Sequence, residues 1–277
     1  MKLFFSPAGE RPSAARPQCR ELSGKRILIT GAAKGIGAGI AEVFAENGAD
    51  LLLHYRSSPE EAEALKARLS VFGGAIHLCR ADLGTKEGIE TLFAEADRVF
   101  GGLDAAVNNA GWDPGYMALE DITFENYEKL TSMNIRGTLF CCLNEIRRMR
   151  RNTPSGGSIV NIGSVQMETS VRGRTLYAAS KGAIHSMTGQ LSLECGKDHI
   201  RINAIAPGYI EVARMTEAPG FNREEIADGI PVGRLGEPRD IGEMALFLVS
   251  GRSTFLSGQT IIVDGGVSRK LARGAKV

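Results

Sequence analysis

The chain is poor in the residues that staple or metallate a fold. Its five cysteines, Cys19, Cys79, Cys141, Cys142 and Cys195, form no C-x-x-C pair and are odd in number, and its four histidines are scattered. That pattern indicates neither a disulfide framework nor a zinc site, so no metal is expected and a reduced, cytoplasmic compartment fits. No apolar run reaches the roughly 18 residues of a membrane-spanning helix. The formal net charge of +1 predicts no general attraction to nucleic acid or to a membrane surface. No Pro/Ser-rich linker divides the body and no solenoid-length repeat is present.

What is present is enough sequence, 277 residues, to bury a substantial core. Met1–Arg20 carries three prolines and four basic residues without an apolar core, and reads as a mobile arm or, as the minority reading, a weak organellar presequence. The expected boundaries are a flexible basic arm over 1–21, one catalytic domain over 22–268 and a basic tail over 269–277. From Lys25 onward, short apolar runs alternate with helical patterns. Strands are expected at Arg26–Thr30, Asp50–Tyr55, Ala75–Arg80, Asp104–Asn108, Ser158–Ile162, Arg201–Ile205 and Thr260–Val263. Amphipathic stretches between them include Gly35–Asn47, Pro59–Phe72, Lys86–Phe100 and Phe124–Met149. Strict alternation predicts an α/β fold, a parallel sheet covered by helices on both faces. Tyr209–Ile230 interrupts the alternation and has room for a lid or substrate loop.

Thr30-Gly-Ala-Ala-Lys-Gly-Ile-Gly37 joins the first strand to the first helix. Glycines there let the backbone approach a pyrophosphate at a positively polarised helix N-terminus, which nominates Gly31, Lys34, Gly35, Ile36 and Gly37. A dinucleotide site that prefers NAD usually places an acid about 20 residues further on, to hold the ribose 2′-hydroxyl. Here the second strand ends His54-Tyr-Arg-Ser-Ser58, with no acid. Arg56, Ser57 and Lys34, with Tyr55 beside them, can instead meet a 2′-phosphate, so NADP(H) is expected, with NAD(H) as the alternative. Asp82 and Leu83, after the third strand, are candidates for the adenine pocket.

Tyr177 and Lys181 lie four apart in a stretch, Leu176–Cys195, that reads as a helix, which puts them on one face. A lysine ammonium beside a phenol is expected to lower the phenol's pKa from its usual value near 10, making the tyrosine an acid or base for carbonyl or alcohol chemistry. Ser164, thirteen residues upstream, can hold a substrate oxygen.

These elements, with Asn108-Asn-Ala-Gly111, Asn134, Pro207-Gly208 and Val263-Asp-Gly-Gly266, occur in an order that resembles the classical short-chain dehydrogenase/reductase family from about Leu22 to Val267. The resemblance implies a Rossmann-type, doubly wound fold with a single seven-stranded parallel sheet, usually in a tetramer. It implies that Tyr177 exchanges the proton, that Lys181 lowers its pKa and holds the nicotinamide ribose, that Ser164 orients substrate, and that Asn134 holds a water linking Lys181 to solvent. Asn109, Ala110, Gly111, Pro207, Gly208 and Ile210 would line the cofactor cleft. One departure is Val212, where the family often has a threonine that bonds the cofactor.

Substrate contacts are expected from Trp112, Ser164, Gln166 and Tyr209, with Asp113 and Glu168 as polar groups able to bond hydroxyls and Arg172 and Arg174 as cations for an anionic substrate. Three functions are therefore weighed: an NADP(H)-dependent oxidoreductase of a sugar, polyol or similar hydroxylated compound; a 3-oxoacyl-thioester reductase; and a non-catalytic NADP(H)-binding sensor. The small-molecule enzyme is preferred because a sensor needs no proton relay.

Overall fold

The computed structural model describes residues 20–270 apart from 219. The arm expected over 1–21 lies outside these residues except for its last two, as does the tail beyond 270.

Seven strands form one parallel sheet in the order β3-β2-β1-β4-β5-β6-β7. They are β1 Arg26–Ile29, β2 Asp50–Tyr55, β3 Ile76–Arg80, β4 Ala105–Asn108, β5 Gly157–Ile162, β6 Ile200–Pro207 and β7 Thr260–Val263. The central strands are apolar on both faces, as parallel strands between two helical layers must be. Their period of two sorts the side chains. Ile27 and Ile29 of β1 enter one core with Ile40, Phe44 and Leu246, while Leu28 enters the other with Leu92, Phe93 and Ile146. The first core is closed by α1 (Gly35–Glu46), α2 (Pro59–Leu69) and α9 (Pro238–Val249), and the second by α3 (Lys86–Phe100), α5 (Thr138–Met149) and α6 (Thr175–Cys195).

The seven expected strands are all present. β6 is longer than expected, running from Ile200 to Pro207. The expected helix Phe124–Met149 is divided: α4 (Phe124–Thr131) runs into a π-helical turn, Ser132–Gly137, before α5. The helix α9, which the sequence reading did not single out, packs closely on α1. A Cβ on Gly39 would lie 2.4 Å from the Pro238 Cβ, and one on Gly242 would lie 2.8 Å from the Gly39 carbonyl oxygen. Tyr209–Ile230 carries two short helices, α7 (Ala213–Thr216) and α8 (Arg223–Asp228).

Candidate active site

The strand order reverses between β1 and β4, so the loops leaving their C-terminal ends diverge and open a crevice. The crevice wall is built by Thr30 and Asn109. The Thr30 hydroxyl accepts from the backbone N–H groups of Asn109 and Ala110, both at 3.0 Å. The Asn109 amide donates to the carbonyls of Thr30 (3.1 Å) and Gly31 (2.9 Å). This clamp brings the two loops so close that glycine is required. Gly31 has a φ of +63°, a Cβ on it would stand 2.9 Å from the Ala110 Cα, and a Cβ on Gly37 would stand 2.6 Å from the Asn109 Nδ2. The turn opens onto the N-terminus of α1, whose N-cap residue Lys34 makes no side-chain capping bond. Uncapped N–H groups at a positive helix end, behind a turn with Gly31, Gly35 and Gly37, fit a dinucleotide diphosphate. Val212, at the position where a threonine was looked for, lies against this turn: a Cβ on Gly35 would be 3.4 Å from its Cγ1.

At the end of β2, Arg56 and Ser57 are exposed, as is Lys34. Arg56 and Asp82 line a cavity of about 210 Å³ together with Trp112 and Lys129. Asp82 accepts from the Gly84 N–H at 2.9 Å, and the cap of α3 is Thr85. Leu83 is buried and Tyr55 half-buried.

Ser164 follows β5 and is buried; its hydroxyl accepts from the Gln166 N–H at 3.2 Å. Tyr177 and Lys181 stand in the first two turns of α6. The buried Lys181 Nζ donates to the Ile162 carbonyl at 2.9 Å and lies 5.4 Å from the centroid of the Tyr177 ring. Burial brings the Lys181 ammonium down to about 8, against the pull of Asp113. The Tyr177 phenol departs from expectation. Burial, and then the Asp113 carboxylate, push it up to about 12, while Arg174, Arg214 and a hydrogen bond with Ser164 pull it down. The cations that favour its phenolate are thus two arginines, and desolvation outweighs them.

Asn134 lies in the π-helical turn. Its side chain accepts from the Trp112 N–H at 2.7 Å and donates to the Trp112 carbonyl at 2.9 Å and the Ser180 hydroxyl at 3.1 Å. It pins the loop after β4 to α6.

The sequence reading treated Asp113 and Arg174 as open to substrate, but they face each other. Arg174 donates to both Asp113 oxygens, at 2.6 and 2.7 Å, and Arg214 reaches the same carboxylate at 2.6 Å. Gln166 is drawn into the group, with its amide oxygen 3.4 Å from the Arg174 Nε. Arg172 and Glu168 are exposed. Lys129 lies 4.4 Å from the centroid of the Trp112 ring, and Trp112 lines the cavity with Arg56 and Asp82. Pro207 ends β6. A Cβ on Gly208 would meet the Asp264 Cβ at 2.6 Å, so the turn and the Val263–Gly266 segment pack without a side chain between them. Tyr209 is half-buried, and the buried Ile210 pairs with Gly236 in an isolated parallel bridge.

His54 was not foreseen as part of the cradle. Its Nδ1 accepts from the Gly31 N–H and its Nε2 donates to the Ala81 carbonyl, both at 3.1 Å. No periodicity marks such a residue, because its partners are brought to it only by sheet formation.

A family model described as enoyl-(acyl carrier protein) reductase matches residues 31–268. The chain is 32% identical to a 3-oxoacyl-(acyl-carrier-protein) reductase of Chlamydia pneumoniae, over 89% of this chain and 98% of that protein. It is 31% identical to a glucose 1-dehydrogenase of Bacillus subtilis, over 90% and 96%. Among solved structures, a short-chain dehydrogenase/reductase from Serratia marcescens superposes with a TM-score of 0.83 at 27% identity, covering 90% of this chain and 99% of that one.

Proposed function

The chain belongs to the short-chain dehydrogenase/reductase family, whose members bind a nicotinamide dinucleotide, and from that premise we propose that it is an NADP(H)-dependent oxidoreductase interconverting a secondary alcohol and a carbonyl in a sugar, polyol or similar hydroxylated compound. The observation that carries this reading is the buried Lys181 anchored to the Ile162 carbonyl beneath Tyr177, next to Ser164. A buried ammonium next to a phenol is costly, and such costs concentrate where proton transfer is performed.

In this reading Gly31, Gly35, Ile36 and Gly37 hold the diphosphate, with Asn109, Ala110, Gly111, Pro207, Gly208 and Ile210 around the nicotinamide half and Asp82 and Leu83 around the adenine. Arg56, Ser57 and Lys34 meet the 2′-phosphate. The bound nicotinamide supplies or accepts the hydride. Tyr177 exchanges the proton with the substrate oxygen, Ser164 fixes that oxygen, and Lys181 holds the ribose and favours the phenolate once the site fills. Asn134 acts by holding the Trp112 loop against α6. We read the protein as cytoplasmic and tetrameric. Exposed Phe140 on α5 and Leu193 on α6 support an association of copies through those helices.

Reduction of a 3-oxoacyl thioester is a second reading. It is supported by exposed Arg172, which suits an anionic carrier, and by the similarity to the Chlamydia reductase. The test is turnover of NADP⁺ with a panel of aldoses and polyols, and of NADPH with a short 3-oxoacyl thioester, beside Tyr177→Phe. Loss of roughly a thousandfold in kcat with unchanged NADPH affinity is expected of the variant. Unchanged turnover in Tyr177→Phe would end the proposal.

A further inference from the structure

We infer that Arg174, seated by Asp113, is a positioning residue that holds the Tyr177 ring and governs the acidity of its phenol. This rests on Tyr177 being the proton-transferring group proposed above.

The geometry is that of a stacked, immobilised cation. The Arg174 guanidinium carbon lies 4.4 Å from the centroid of the Tyr177 ring and 5.6 Å from that of Tyr116. Arg174 is 9% exposed, so its charge acts on the ring with little solvent screening. A planar guanidinium gripped through two parallel hydrogen bonds cannot rotate freely, and that rigidity passes to the ring beneath it. Three segments meet here: the loop after β4 brings Asp113, the start of α6 brings Arg174 three residues before Tyr177, and the segment after β6 brings Arg214.

The charged and titratable groups around the phenol divide by sign. Arg174 and Arg214 favour the phenolate and Asp113 opposes it; Ser164 adds a hydrogen bond, and Lys181 sits below. Arg214 is the weaker cation, since its side chain is 64% exposed. Burial works against ionisation of Asp113, but hydrogen bonds from Arg174, the Gly115 N–H and Arg214 hold its carboxyl below the usual range, so the carboxylate is charged at working pH. Arg174 and Asp113 therefore exert opposite effects on one phenol. Their mutual pairing also leaves neither free to take an anionic substrate or bond its hydroxyls.

The test is a tyrosinate absorbance titration of the full chain without cofactor or substrate, with the Tyr177 transition identified by its loss in Tyr177→Phe. Asp113→Asn should give about tenfold more Tyr177 phenolate at a given pH, and Arg174→Gln about tenfold less. Arg174→Lys, keeping the charge, should restore most of the difference. A contact that served packing alone would leave the transition in place or move it the same way in both variants, and either result overturns the inference. If Arg174→Gln is not recovered folded, Asp113→Asn, which alters charge and little shape, decides alone. Retained turnover in Tyr177→Phe would defeat the functional proposal and leave this titration readable. Lost turnover with an unmoved titration would defeat this inference only.

Discussion

Asn108 donates from Nδ2 to Glu145 Oε2 and to Asn161 Oδ1, both at 3.0 Å, in the buried layer between α5 and the sheet. The other carboxyl oxygen of Glu145, Oε1, and the amide oxygen of Asn108, Oδ1, have no hydrogen-bond partner. Two buried acceptors without donors are expensive unless one carries a proton. Burial pushes the Glu145 carboxyl up to about 8, against the opposing effects of Asn108 and Arg148, which favours the protonated acid at neutral pH.

A pH dependence of stability follows, and its sign is fixed. The folded pKa lies above the unfolded value, so the folded chain holds the proton longer. This contribution is full below about pH 4.5 and is lost as pH rises through about 8, at no more than about 1.4 kcal/mol per pH unit. Glu145→Gln, neutral at every pH, should flatten that decline and exceed the wild type in stability above pH 8. Urea melts from pH 5 to about pH 9 measure it, and parallel pH profiles would contradict the assignment.

His54 offers the opposite test. Desolvation lowers its pKa to about 4, against the Ala81 carbonyl bond and the Asp82 charge, and charging it would also remove the acceptor for the Gly31 N–H. The unfolded chain therefore takes up the proton first, and stability falls as pH drops from about 6.5 to 4. His54→Leu should lack this decline. The variant should also bind NADPH roughly tenfold more weakly by fluorescence titration, because the first turn of the cradle loses a buried hydrogen bond. Unaltered affinity would show that the turn holds its shape without the imidazole.

In the proposed reading, the exposed Arg56 at the end of β2 meets the 2′-phosphate of NADP(H). Arg56→Asp should weaken NADPH binding by roughly tenfold to a hundredfold and strengthen NADH, since charge-assisted bonds are replaced by repulsion. The ratio of the two dissociation constants is the readout. A ratio that does not move would assign the 2′-phosphate to other residues.

The strands were legible because parallel strands buried on both faces are apolar runs with few imitators, as Leu51–Leu53 illustrates. The glycine turn was legible because Gly31 and Gly37 meet a backbone requirement that no other residue fulfils. The π-helical turn at Ser132–Gly137 was not, since an added residue in a helix leaves the composition of its flanks unchanged. The direction of the Tyr177 shift was also missed: a four-residue spacing shows that Lys181 is near but not how deeply the phenol is buried.

The sequence by itself determined the α/β alternation, the glycine cradle and the Ser164, Tyr177 and Lys181 set, because local periodicity and short-range spacing write these into neighbouring residues. Only the tertiary structure decided that Asp113 pairs with Arg174 across 61 positions, that Arg174 covers Tyr177, and that Asn134 bonds Trp112. Electrostatics and burial act through space, and residues far apart along the chain acquire their partners only when the sheet and its helices close around them.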